Sequence, residues 1–337
     1  MPDPIATLDE MRRILAMLPG PDLAARAVAA ERERQLTKPA GALGRLEAVA
    51  EWLATWQGRR PEVRRPRTIV FAANHGVAAR GVSAYPQAVT RQMMANFAAG
   101  GAAVNQLCTS VDADLRVYEL DLDHPTADFT VGPAMSEEGC ARAMAYGMMA
   151  VEPGVDLLAL GEMGIGNTTA AAALALALFG GTAGDWVGPG TGVAGAALAA
   201  KTEAVAAGVA LHGGAGDPFE TMRRLGGYEL AAIAGAVMAA RLARIPVLLD
   251  GYAATAAAAV LFAADPHALD HCLVGHCSAE PGHRRLLARL GQEPLLDLGM
   301  RLGEGSGATL AIAVVKAAAA CHAGMATFAA AGVSGPA

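Results

Sequence analysis

Five short apolar runs limit what this chain can fold into: residues 68–72 (TIVFA), 115–120 (LRVYEL), 155–160 (VDLLAL), 245–249 (IPVLL) and 272–274 (CLV). They are β-branched or Leu-rich and mostly lack the apolar–polar alternation of a half-exposed strand, as expected of strands buried on both faces of a parallel sheet. The Ala-rich segments 87–108, 168–179, 193–212 and 229–242 lie between them and are long enough for crossover helices. This alternation predicts an α/β fold, a doubly wound parallel sheet with helices on both faces (α/β/α). Residues 8–57 carry apolar positions at helical spacing, interrupted by PGPD (19–22) and KPAG (38–41), which predicts two or three helices. Residues 308–331 read as helix again, so the expected division is a small helical domain from 1–60 plus 308–337 beside an α/β domain at 61–307.

Composition narrows the class. With 53% hydrophobic and 17% charged residues among 337, the chain is too apolar to be disordered. Its mean hydropathy of +0.33 raises the question of a membrane. The longest uncharged stretch, 163–184, contains Asn167, Thr168, Thr169 and several Gly, and its apolar part is mostly Ala, so it reads as a buried helix rather than a span. The first residues show no secretory pattern, which predicts a cytoplasmic location. Five scattered Cys without a CxxC pair predict reduced packing thiols. A net charge of -6 argues against nucleic acid, and the cluster Arg59, Arg60, Arg64, Arg65 and Arg67 reads as a solvated linker.

In open parallel sheets, ligands bind beyond the carboxyl ends of the strands. After the run at 155–160 comes Gly161-Glu162-Met163-Gly164-Ile165-Gly166-Asn167-Thr168-Thr169, then an Ala-rich helix. Glycines allow close backbone approach, and the free N–H groups of a helix start attract an anion, so a phosphate site is predicted; the alternative is a tight turn with Asn167 as helix cap. Gly188-Pro189-Gly190-Thr191-Gly192 precedes a helix carrying Lys201, which would neutralise a phosphate if that helix folds back, and would otherwise be a surface Lys. Gly303-Glu304-Gly305 places a carboxylate unshielded by neighbouring side chains, suited to a general base or to the dipole of the following helix. His267, His271, Cys272, His276, Cys277 and His283 fall close together, but the run crosses an apparent strand and matches no zinc spacing, so no metal is expected.

Taken in order, KPAGALGRLE (38–47), NHGVAARGVSAYPQAVT (74–90), GEMGIGNTT (161–169), VGPGTG (187–192), LLDGY (248–252), HCSAE (276–280) and MRLGEGSGA (300–308) closely resemble the nicotinate-nucleotide:dimethylbenzimidazole phosphoribosyltransferase family, over residues 20–325. The resemblance implies a Rossmann-like domain with a small helical domain built from both chain ends, a homodimer, and neither cofactor nor metal. It implies transfer of phosphoribose from nicotinate mononucleotide to dimethylbenzimidazole, giving alpha-ribazole 5'-phosphate for the nucleotide loop of cobalamin. Carried over by motif, Glu304 is the base and Glu162 lies near the ribose. Gly164, Gly166, Asn167, Thr168, Gly190, Thr191, Lys201 and Ser278 line the nucleotide site, and Tyr85, Met93 and Leu302 the acceptor-base site. Asn74 stands where the family often has Asp, so a carboxylate role is lost there. Tyr85 and Met93 stand where some members place Ser and Gln, which leaves the acceptor open to another benzimidazole, a purine or a phenol. A nucleotide sensor without turnover is a third reading, and the presence of Glu304 counts against it.

Overall fold

The computed structural model describes residues 6–213 and 216–335. Five strands form one parallel sheet: β1 (Pro66–Ala72), β2 (Asp114–Glu119), β3 (Leu157–Met163), β4 (Val247–Leu249) and β5 (Cys272–Val274), in the order β2-β1-β3-β4-β5. The five apolar runs are these five strands, with ends displaced by at most three residues. The order reverses between β1 and β3, the position where doubly wound sheets open a crevice at their carboxyl edge.

Alternate residues of β3 feed different layers. Leu158 and Leu160 join the core beneath the helices Glu137–Met149, Tyr228–Leu242 and Tyr252–Ala264. Leu157 and Ala159 face the other way, onto Val49 and Leu53 of the helix Arg45–Gln57 and Ala311, Ile312 and Val315 of the helix Ser306–Gly324. β2 corrects the expectation of burial on both faces. It is an edge strand, paired with β1 alone, whose residues are exposed or half-buried.

Small residues let the layers approach closely. A Cβ at Gly147 would lie 1.8 Å from the Ala232 carbonyl oxygen, and one at Gly235 1.9 Å from that of Met144, so the helices Glu137–Met149 and Tyr228–Leu242 meet backbone to backbone. The expected crossover helix at 87–108 is two helices, Ala88–Ala98 and Ala103–Ser110, broken at Gly100, whose φ of +78° lies in the left-handed region. The uncharged stretch 163–184 holds the end of β3, a loop and the helix Asn167–Phe179. Among the described residues, the one helix long and apolar enough to cross a membrane is instead Ser306–Gly324, and half of its apolar window is buried inside the fold.

The chain ends are joined by an isolated antiparallel bridge between Leu36 and Thr327. Arg32 donates to the carbonyls of His322, Ala323 and Met325 at the end of the long C-terminal helix, where cations suit the helix dipole. His322 meets Glu33 at 2.7 Å, and Lys38 bridges Glu33 and Glu47. The arginine cluster needs one correction: Arg67 is buried in β1, paired with Asp114 and Glu152, while Arg59, Arg60, Arg64 and Arg65 are exposed.

Candidate active site

The carboxyl edge of the sheet opens into a cavity of about 500 Å³. β3 ends in its wall, carrying Glu162. The loop 303–305 crosses β3 there, and the Glu304 N–H donates to the Glu162 carbonyl at 3.1 Å. Only glycine fits at 161 beneath this crossing, since a Cβ would come within 2.1 Å of the Gly305 nitrogen. Glu304 itself adopts φ +63°, a left-handed conformation that costs a non-glycine residue about 1 kcal/mol or more. The loop sets the Glu304 carboxylate at the cavity wall, where the residue is 6% exposed.

On the anion side, Gly166 (φ +101°) caps the helix Asn167–Phe179 with no side-chain cap bond. The reading of Asn167 as cap is therefore corrected: Asn167 is the first helical residue, and its amide donates to Glu162. Leaving the helix start free of a side-chain cap suits it to an anion. The helix Gly195–His212 does fold back. Lys201 is 1% exposed, and its ammonium donates to Thr168 Oγ1 and to the Gly188 carbonyl, both at 2.9 Å. Burial pushes this lysine down to about 8, opposed by the charge of Glu280. Glu280 also accepts the Gly190 N–H at 2.8 Å, and Arg301 donates to the Gly190 carbonyl at 3.0 Å, so the 188–192 loop is gripped from two sides. Thr191 Oγ1 lies 3.0 Å from Ser83 Oγ and accepts the Ala84 N–H, tying this loop to the segment that bears Tyr85.

Part of the wall is apolar. Tyr85, Val89, Met93, Met163 and Leu302 line it, with Tyr85 55% exposed at the rim. Ser278 is buried in the wall, its N–H donating to His283 Nδ1 at 2.8 Å and its hydroxyl accepting the Glu280 N–H at 3.2 Å.

Acids dominate the electrostatics. Burial raises Glu304 to about 7, helped by the charge of Asp250. Glu162 is raised well above the carboxylate range by burial, then by Asp250, Glu229 and Glu304, and the Asn167 amide opposes this. Crowding of like charges in a low-dielectric site is a known route to carboxyls that stay protonated near neutrality.

The cavity wall thus brings together Glu304, Glu162, Gly164, Asn167, Thr168, Gly190, Thr191, Ser278, Tyr85, Met93 and Leu302. Gly166 and Lys201 are not in that wall; Lys201 reaches it through its bond to Thr168. Sequence reasoning assigned no role to Glu280, Arg301, His276 or Asp250, although the first three line the cavity and all four lie in the motifs HCSAE, MRLGEGSGA and LLDGY. Asn74 is buried away from the wall, its amide donating to the Leu122 carbonyl. The histidines of 267–283 do not converge. His271 bonds the Val237 carbonyl, His283 bonds Ser278 and Thr255, and His267 is exposed beside Asp270. Among the described residues, no group of three or more His, Cys, Asp or Glu is set to hold a metal ion.

The family model described as "Phosphoribosyltransferase" matches residues 18–333. The chain is 62% identical to the nicotinate-nucleotide–dimethylbenzimidazole phosphoribosyltransferases of Rhizobium etli and Rhizobium meliloti, over 97% of this chain and of each relative. The crystal structure of the enzyme of the same name from Thermus thermophilus superposes with a TM-score of 0.85 at 44% identity, covering 93% of this chain and 99% of that one. These matches extend over nearly whole chains, and the chain belongs to the nicotinate-nucleotide–dimethylbenzimidazole phosphoribosyltransferase family.

Proposed function

We propose that this chain transfers the phosphoribosyl group of nicotinate mononucleotide to dimethylbenzimidazole, releasing nicotinate and alpha-ribazole 5'-phosphate for cobalamin assembly, with Glu304 as general base. The observation that carries this reading is the joining, in one cavity, of an uncapped helix start backed by Lys201 with a buried carboxylate that titrates near neutrality. The phosphate sits at Asn167, Thr168 and the 188–192 loop, and the ribose by Glu162. The apolar end around Met93 and Leu302 receives the flat acceptor ring.

In the transfer, the unprotonated nitrogen of the acceptor attacks the ribose anomeric carbon while the bond to the pyridinium nitrogen breaks. Its electron pair returns to the pyridine ring, which leaves as nicotinate. The second acceptor nitrogen then sheds its proton to Glu304, and the product is neutral at the ring. Attack from the face opposite the leaving ring gives the alpha configuration. The leaving ring departs uncharged at nitrogen, so the work left to the protein is orientation of two rings and acceptance of one proton. A homodimer and the division into 1–60 plus 308–337 and 61–307 belong to the same proposal and rest on the family resemblance; a cytoplasmic location is proposed beside them.

The test is incubation of purified protein with nicotinate mononucleotide and an equimolar mixture of dimethylbenzimidazole, adenine and p-cresol, with products resolved by chromatography. The reading requires alpha-ribazole 5'-phosphate as the dominant product. A dominant purine or phenol adduct would overturn the assignment of the acceptor, and no transfer at all would overturn the function.

A further inference from the structure

Asp250 follows β4 and is fully buried behind the cavity wall. Its Oδ1 accepts the Ala308 N–H at 2.8 Å, in the first turn of the helix Ser306–Gly324 that begins two residues after Glu304. Its Oδ2 has no hydrogen-bond partner among the described residues. His276, itself buried and lining the cavity, places Nε2 3.5 Å from Asp250 Oδ1, and neither ring nitrogen makes a hydrogen bond. A helix start needs an acceptor, but a neutral Asn would serve as well, and the position holds a carboxylate with one oxygen unused.

We propose that Asp250 is a positioning residue for the transfer: it pins the helix start that fixes the Glu304 loop, and it sets a second carboxylate behind the general base. This inference rests on the reading of Glu304 as that base. Burial raises the Asp250 carboxyl, opposed by the nearby His276 and by the Ala308 N–H. The charge of Asp250 is in turn the coulombic contribution that raises Glu304 beyond the effect of burial. The other charged or titratable groups around this end of the cavity are Glu162 on β3, Glu229 at the start of the helix Tyr228–Leu242, Tyr252 after β4, His276 and Glu280 after β5, and Arg301 on the Glu304 loop. Asp250 differs from them in that its side chain bonds the start of the helix that follows the loop. A base held near the working pH removes a proton more effectively than an ordinary carboxylate, which gives the charge a use in the reaction.

The experiment is the pH profile of kcat/KM for the full chain as wild type, Asp250→Asn, Asp250→Ser and Glu304→Gln, with nicotinate mononucleotide and dimethylbenzimidazole as substrates. Wild-type activity should rise with pH through the titration of Glu304. Asp250→Asn keeps the acceptor for Ala308 and loses the charge, so the midpoint of this rise should fall by about one pH unit and the plateau of kcat by severalfold, with KM for the nucleotide within about twofold. Asp250→Ser, also a neutral acceptor, decides the question if the Asn variant does not fold. A midpoint unchanged in a folded neutral variant would overturn the proposal, whatever happens to kcat, because a purely structural cap would not move it. Persistence of the same acid limb in Glu304→Gln would instead overturn the reading of Glu304, so the two failures are distinguishable.

Discussion

Replacing Glu304 by Gln should make the protein more stable while removing its activity. Glu304 is raised from an ordinary 4.5 to about 7 by burial and by Asp250. The charged form is thus disfavoured in the folded state. Below pH 4.5 both folded and unfolded chains hold the proton and there is no cost. Between 4.5 and 7 the unfolded chain releases it first, and above 7 the full cost is present. At about 1.36 kcal/mol per pH unit, the interval of 2.5 corresponds to a ceiling of about 3.4 kcal/mol. Solvent reaches part of the carboxylate through the cavity mouth, so screening reduces this to about 1.5–2 kcal/mol. Gln matches the protonated acid in shape, and urea unfolding at about pH 8.5 should therefore show the variant more stable by that amount. Less than half of the difference should remain at about pH 5.5, between the two titrations. Equal stability of the two proteins at both pH values would refute the claim that the fold strains this carboxylate, and with it the argument that Glu304 is poised as a base.

Other consequences follow from the same geometry. Lys201 loses its proton as pH rises through about 8, so affinity for nicotinate mononucleotide should weaken above that pH. Lys201→Met should abolish this dependence and raise KM by about tenfold or more with a smaller change in kcat, and an unchanged KM would place the phosphate elsewhere. Gly161→Ala puts a Cβ 2.1 Å from the Gly305 nitrogen, and displacement of the base loop should lower kcat at least about tenfold while costing about 1–3 kcal/mol in urea unfolding. Gly147→Ala meets the Ala232 carbonyl far from the cavity, so it should destabilise by a similar amount yet leave KM unaltered in the folded fraction. Met93→Ala should widen the apolar end, and competition assays should show larger substituted benzimidazoles gaining on dimethylbenzimidazole. An unchanged order of preference would show that Met93 does not touch the acceptor.

How much of this was legible before the structure depends on the range of each interaction. Strands buried on both faces announce themselves through residues adjacent in sequence, and all five were placed by that signal. β2 misled because LRVYEL looks like an interior strand, whereas its exposure depends on pairing with β1 alone, a fact of sheet order. The break at Gly100 was missed because two short helices in an Ala-rich segment keep the composition of one. The loops after β3 and before the long C-terminal helix were readable, because glycine flanking an acid or preceding a helix is a local pattern with a local physical meaning. Lys201 needed the resemblance, since nothing in its own helix says that it turns inward to Thr168. Asp250, His276, Glu280 and Arg301 act through partners roughly 25 to 110 positions away, such as Ala308 and Gly190. Their neighbours in sequence therefore carry no trace of the contacts that matter.

The most direct measurement of the central claim is product formation by the wild type and Glu304→Gln at about pH 8 with both substrates saturating. The wild type should yield nicotinate and alpha-ribazole 5'-phosphate in equal amounts. The variant should bind the nucleotide with little change and turn over about 10²–10⁴-fold more slowly, the range that a positioned general base contributes. Near-normal turnover by Glu304→Gln would mean that another group takes the acceptor proton, and the account of this site would be wrong at its centre.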